Sequence, residues 1–144
     1  MAKIWFETTV RLTRVQDNGL PKDVSEKYLF AALTPSEAEA LAIQEVAPFS
    51  EGDFSVKSVV EQNYKEYIAG KEDDDDKFYG VTIEFITLDE RTGKEKKSSH
   101  RILVQSSDLS NALYRVKDAM SKSMMEYAVT KVELTKLVDV YDKE

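Results

Sequence analysis

Four consecutive carboxylates, Asp73, Asp74, Asp75 and Asp76, are the densest set of hard oxygen donors in the chain. Oxygen ligands of this kind suit Mg²⁺ or Ca²⁺. An EF-hand loop needs a Gly sixth and a Glu twelfth, and no starting point within the run supplies both. Like charges in a block also repel one another, so the run reads as an exposed linker and no metal is assigned to it. The densest positive charge is a segment carrying Arg91, Lys94, Lys96, Lys97 and Arg101, with Arg11, Arg14, Lys22 and Lys27 on a related segment near the start. Paired basic segments of this kind can follow the phosphates of an extended polyanion. Trp5 and Phe78 add rings on which bases could stack, the second ingredient of single-strand binding.

Other chemistry is excluded by composition. Zero cysteines remove thiolate metal sites, cysteine nucleophiles and disulfides, and the single His100 removes any two-histidine metal site. As a general base His100 needs a partner and a pocket, and the sequence supplies neither. No phosphate-cradling glycine loop, dinucleotide fingerprint or nucleophile elbow is present. The expectation is therefore no catalytic residue and no cofactor. A formal charge of −7 argues against a general duplex-DNA binder while leaving room for a local basic patch.

The elements that would carry these residues come in two copies. Trp5 and Phe6 fall on Phe78 and Tyr79, Thr9 and Val10 on Thr82 and Ile83, and Val15 on Leu88, each at an offset of 73. After the following turn, Gly19 falls on Gly93, Ser25 on Ser99 and Leu29 on Leu103 at an offset of 74, as though the second turn held one more residue. Phe54 and Val56 fall on Tyr127 and Val129 at 73 again. Each unit reads as hairpin, helix, strand. Ile4, Phe6, Thr8, Val10 and Leu12 alternate with polar neighbours, the period of a half-buried strand. Asp17, Asn18 and Gly19 turn the chain, and Thr34, Pro35 and Glu37 make a capped helix start. In the second unit Tyr79, Val81, Ile83 and Phe85 share a face, Arg91 to Lys94 turns, and Ser107 or Asp108 caps a helix with Leu109, Ala112, Leu113 and Val116 as its stripe. Met124 and Met125 read as packing at that helix end.

The predicted fold class is α+β: two ββαβ pseudo-repeats forming a mainly antiparallel sheet with two helices packed on one face. The chain is expected as a single domain, 1–144. Pseudo-repeat 1 spans about 3–68, the acidic linker 69–77, and pseudo-repeat 2 about 78–141. A last strand beginning at Tyr127 is expected to continue through Leu137 to Val140. The acidic end from Asp139 to Glu144 reads as a frayed terminus or a short docking tail.

The segments Trp5-Phe6-Glu7, Ala32-Leu33-Thr34-Pro35-Ser36-Glu37-Ala38-Glu39-Ala40, Pro48-Phe49 and Phe85-Ile86-Thr87-Leu88-Asp89-Glu90 resemble the DUF4494 family. This is an uncharacterised family of gut Bacteroidetes and of their phages and mobile elements. The resemblance covers nearly the whole chain and brings no activity, cofactor or catalytic residue. It implies a small cytoplasmic protein in a phage or mobile-element setting. The acidic stretch at 73–76 looks like an insertion particular to this chain.

The leading expectation is a non-catalytic binding protein that holds single-stranded nucleic acid through its basic hairpins, with Trp5 and Phe78 stacking on bases. A second is a protein–protein adaptor or assembly factor, acting as a homo-oligomer or on another phage or host protein. A third is a decoy that sequesters a small nucleotide. The N-terminus lacks the apolar core of a signal peptide, and no run approaches the roughly 18 apolar residues that cross a bilayer. A cytoplasmic location without a membrane partner is expected.

Overall fold

The computed structural model describes residues 4–142. The elements run β1 (Ile4–Val15), β2 (Pro21–Ala32), α1 (Pro35–Val46), β3 (Phe54–Gln62), β4 (Tyr64–Ile68), β5 (Lys77–Leu88), β6 (Glu95–Ser106), α2 (Leu109–Ala119), β7 (Glu126–Leu134) and β8 (Leu137–Tyr141). The class is α+β, and the repeat is plain in the order of elements. Each copy holds one strand more than expected, giving ββαββ.

Local chemistry accounts for the elements. The first turn is closed by Gln16 and Leu20, and the second by Asp89 and Lys94, each through a backbone bond of 2.8–2.9 Å. Gly19 and Gly93 adopt φ of 82° and 68°, which a side chain would oppose. The second turn occupies 89–94 against 16–20 in the first, and that extra residue is the change of offset. At the start of α1 the Thr34 hydroxyl accepts from the Glu37 N–H at 3.1 Å, and Pro35 takes the first helical position. Asp108 plays the same part for α2, accepting from the Asn111 N–H at 2.7 Å.

The strands form two four-stranded sheets, ordered β3-β1-β2-β8 and β4-β6-β5-β7. One continuous sheet was expected, and its division has a local cause. A single residue, Asn63, separates β3 from β4, and only Thr135 and Lys136 separate β7 from β8. The chain leaves one sheet at each joint and enters the other. The last strand read through to Val140 is therefore two strands in two sheets. The chain accordingly divides into two compact units, residues 1–63 with 136–144, and residues 64–135. These are not the residues of the two repeats, because each unit contains the final strand of the other repeat.

In the first unit β1 pairs antiparallel with β2 and β3, and β8 lies parallel to β2 at 27–30. Phe6, Val10 and Leu12 of β1, Tyr28, Phe30 and Ala32 of β2, and Ala38, Ala42 and Val46 of α1 make the core. Alanines on α1 let the helix lie close to the sheet. The borrowed strand contributes directly, since the Tyr141 ring stacks on Phe30 at 4.9 Å and 8°. The second unit repeats the plan, with β5 between β6 and β7 and β4 parallel to β6 at 101–104. Its core is Tyr79, Val81, Ile83, Ile102, Val104, Ala112 and Val116, with Ile68 of the borrowed strand packed against it. Both outer antiparallel pairs carry a register shift at matching places, beside Thr9 and Val10 and beside Thr82 and Ile83.

Several terminal readings change. Asp139 to Tyr141, expected as a frayed end, belong to β8, while Lys143 and Glu144 lie outside the described residues. Met124 is fully exposed rather than packed. Among the described residues, no helix is long and apolar enough to cross a membrane.

Two outcomes follow from the first core. The Thr8 hydroxyl is buried without a hydrogen-bond partner, and the matching residue of the second repeat is Val81. Thr8→Val removes an unsatisfied polar group and should raise stability in urea unfolding by about 1 kcal/mol. Tyr141→Ala removes the ring that holds β8 against Phe30. It should cost about 2 kcal/mol and speed amide exchange at Leu29 and Phe30.

Candidate functional site

Strand register decides which cations are available. In the first hairpin Arg11 Nη2 meets Asp23 Oδ2 at 3.2 Å, and the Thr13 hydroxyl donates to the other Asp23 oxygen at 2.9 Å. Arg14 grips Glu26 with two bonds of 2.8 Å, and the Tyr28 hydroxyl donates to the same carboxylate at 2.7 Å. The fork-on-carboxylate geometry holds the Arg14 pKa above its ordinary value and the Glu26 carboxyl below its own. Burial, and then the adjoining Glu26, push the Tyr28 hydroxyl up. Lys27 Nζ lies 3.5 Å from Glu7 Oε2. Of the four candidates on this hairpin, only Lys22 is exposed without an acid partner.

The second hairpin keeps more of its charge. Lys97 Nζ reaches Glu84 Oε1 at 3.7 Å, and both side chains are partly exposed, so the pair is weak. The Arg101 guanidinium lies 4.5 Å over the Tyr64 ring, and its Nη2 donates to the Tyr64 hydroxyl at 3.1 Å. Arg91, Lys94 and Lys96 are exposed and form no ion pair among the described residues. The hairpins thus differ in which cations they carry: Arg11 and Arg14 fall on Glu84 and Thr87 of the second repeat, Lys22 and Lys96 match and are both exposed, and Arg91 and Lys94 belong to the longer second turn.

The two stacking rings are a correction. Trp5 is 4% exposed and Phe78 2%, although both point away from the helix of their sheet. Leu29 and Leu103, on that same side, are fully buried. The sheets bury apolar side chains on both faces here, so the rings belong to buried packing and no base can reach them in this structure.

The acidic linker is a second correction. Asp73, Asp74 and Asp76 are exposed, but the Asp75 side chain is only 1% exposed. Its Oδ2 accepts from the N–H groups of Lys71 at 3.1 Å and Glu72 at 3.0 Å, and pairs with Arg115 Nη2 at 3.0 Å. Gln105 donates from its side chain to the Asp75 carbonyl at 2.8 Å and accepts from the Gly70 N–H at 3.0 Å. A Cβ on Gly70 would stand 2.6 Å from Asp75, so this tight turn requires glycine. Asp75 is therefore a structural anchor, and no three acidic or histidine side chains among the described residues converge as metal ligands. Sequence reading missed it because the side chains that bury it, Gln105 and Arg115, lie 30 and 40 residues further along.

Little else gathers for chemistry. The His100 ring sits edge-on to Phe85 at 5.0 Å. An open groove of about 510 Å³ runs between α2 and β7, lined by Leu113, Lys117, Tyr127, Thr130 and Lys131. It holds no acid–base pair.

The Asp75 carboxyl is held below the usual carboxylate range by the Glu72 N–H and then by Arg115, against the opposing effect of burial. A depressed pKa stabilises the fold above the unfolded value of about 4, and that contribution disappears as pH falls through the folded value. Asp75→Asn should therefore lower the melting temperature clearly at pH 7. The gap to the unaltered chain should narrow below about pH 4, as read by thermal denaturation across pH.

No curated protein and no solved structure matches the chain. The family described as a domain of unknown function, DUF4494, matches residues 4–143, which is nearly the whole length and agrees with the segments that suggested it. The two linked ββαββ repeats, with their unlike hairpins, are therefore the fold of a member: this chain belongs to the DUF4494 family.

Proposed function

We propose that this chain is a non-catalytic adaptor, a cytoplasmic protein of a phage or mobile-element setting that holds an anionic segment of another protein on its second hairpin. The observation that carries the reading is the contrast between the hairpins. Among the described residues Arg91, Lys94 and Lys96 stand exposed without acid partners, whereas on the first hairpin Arg11, Arg14 and Lys27 are each paired with a carboxylate and only Lys22, the match of Lys96, is left unpaired. Charge left uncompensated on one of two equivalent elements, in a chain of net −7, favours an anionic partner there. The lone His100 rests against Phe85, which supports binding rather than catalysis.

Single-stranded nucleic acid is the second reading, supported by the same three cations. It lacks the stacking platform that such binders use, because Trp5 and Phe78 are buried.

The test sets the two against each other. A labelled single-stranded DNA of about 30 nucleotides is titrated at low and physiological salt by fluorescence anisotropy. In parallel, the immobilised chain and an Arg91→Glu/Lys94→Glu/Lys96→Glu variant are challenged with host extract. The adaptor reading expects negligible oligonucleotide binding at physiological salt and a protein retained by the unaltered chain but lost by the folded variant. Tight DNA binding whose salt slope falls by about 0.7 for each cation removed would replace it with the nucleic-acid reading.

A further inference from the structure

β5 pairs with β6 along the whole of residues 95–106, whereas β4 covers the other side of β6 only at 101–104. Residues 95–100 therefore have a neighbouring strand on one side alone among the described residues. All but His100 of these six are exposed. An edge of this kind offers backbone donors and acceptors to any extended chain that can approach it.

The first repeat has the same geometry, because β8 covers β2 only at 27–30 and leaves 21–26 open. There the edge is blunted. Pro21 carries no N–H, and Asp23 and Glu26 are occupied by Arg11 and Arg14. The corresponding stretch of β6 has no proline and bears Lys96 and Lys97 against one acid, Glu95, with Lys94 beside it; Lys97 is only loosely held by Glu84 at 3.7 Å. Lysines on an open edge repel a second copy of the same edge, so self-pairing is opposed. The same charges attract a strand that brings carboxylates. Because side chains alternate, Lys97, Ser99 and Arg101 share one face and Lys96, Ser98 and His100 the other.

We propose that residues 95–100 of β6 accept an acidic, extended polypeptide segment as an added strand. This rests on the adaptor reading and names its partner's chemistry. The segment pairs through its backbone and sets carboxylates against Lys96 and Lys97. Tyr64, the first residue of β4, pairs at Arg101 and limits the added strand to about six residues, or roughly 20 Å.

The test uses the full chain and a fluorescein-labelled ten-residue peptide repeating Glu-Glu-Val-Val, which carries carboxylates on both faces of an added strand. Two companions are a peptide of the same sequence N-methylated at alternate residues and a lysine–valine peptide. Binding is read by anisotropy, and amide exchange is followed along the chain. Strand addition expects saturable binding of the acidic peptide and exchange slowed at least tenfold at alternate amides of 95–100, with 21–26 unchanged. The N-methylated peptide keeps its charge but loses donors, and should bind at least tenfold more weakly. The lysine peptide should not bind, and Lys96→Glu should weaken the acidic peptide about tenfold. Equal binding of the N-methylated peptide, or equal protection of 21–26, overturns strand addition and leaves an adaptor that holds acidic segments by charge alone. Absence of peptide binding, while the hairpin variant still loses its captured protein, overturns strand addition only. Absence of both, with single-stranded DNA protecting 89–100, overturns the adaptor reading as well.

Discussion

A chain that must reverse between antiparallel neighbours needs at least two residues in the turn, and β3 is joined to β4 by one. Asn63 cannot send the strand back along its own sheet, so the backbone runs on and completes another. The second repeat also runs on into the other sheet, although Thr135 and Lys136 would be long enough for a hairpin; there the Thr135 N–H and hydroxyl are tied to the Phe78 carbonyl instead. Most of the architecture follows from these joints. Each sheet gains a parallel strand on the outside of its hairpin, supplied by the other repeat. Neither repeat can finish its own sheet. The borrowed strands are short, so they cover β2 only at 27–30 and β6 only at 101–104, and leave the outer side of each strand's far half without a neighbour among the described residues.

That uncovered half is where the repeats part company. A duplicated fold inherits the same backbone twice, and the side chains then decide what each copy presents. On the first hairpin, Arg14, Glu26 and Tyr28 form a compact bonded group whose partners sit across the strand pair. The second hairpin has Ser99 in place of Ser25 but His100 in place of Glu26, so no carboxylate stands at that rung to absorb a cation. One hairpin is closed upon itself, and the other keeps its charge outward. A similar drift shows inside the cores, where Thr8 occupies a position that Val81 fills without a stranded hydroxyl.

What could be read from the sequence was local. Alternation at 4–12 and 79–85, the Asn18-Gly19 turn and the Thr34 cap express preferences that neighbouring residues set among themselves, and the repeat offset made the α+β class legible. Choices settled between distant residues were not legible. A strand pattern that continues from 127 to 140 gives no sign that two sheets divide it. Asp75 reads as one solvated charge among four because burying a carboxylate is costly. Here the cost is met by backbone donors at Lys71 and Glu72 and by Arg115 on a helix further along. Arg11 and Arg14 looked available until register set them beside Asp23 and Glu26. The rings of Trp5 and Phe78 lie on the expected side of their strands, but that side is buried.

The exchanged strands also impose an order on assembly. Residues 64–135 form a continuous stretch that contains every strand of its unit, so that unit can close as soon as its own residues have left the ribosome. The other unit begins first and ends last. Its three leading strands and helix are synthesised early, yet the outer strand with Tyr141 emerges only after the whole of the intervening unit. During that interval Phe30 lacks its stacking ring and the base of β2 is an uncovered edge. The half of the molecule made first is thus the half that must wait.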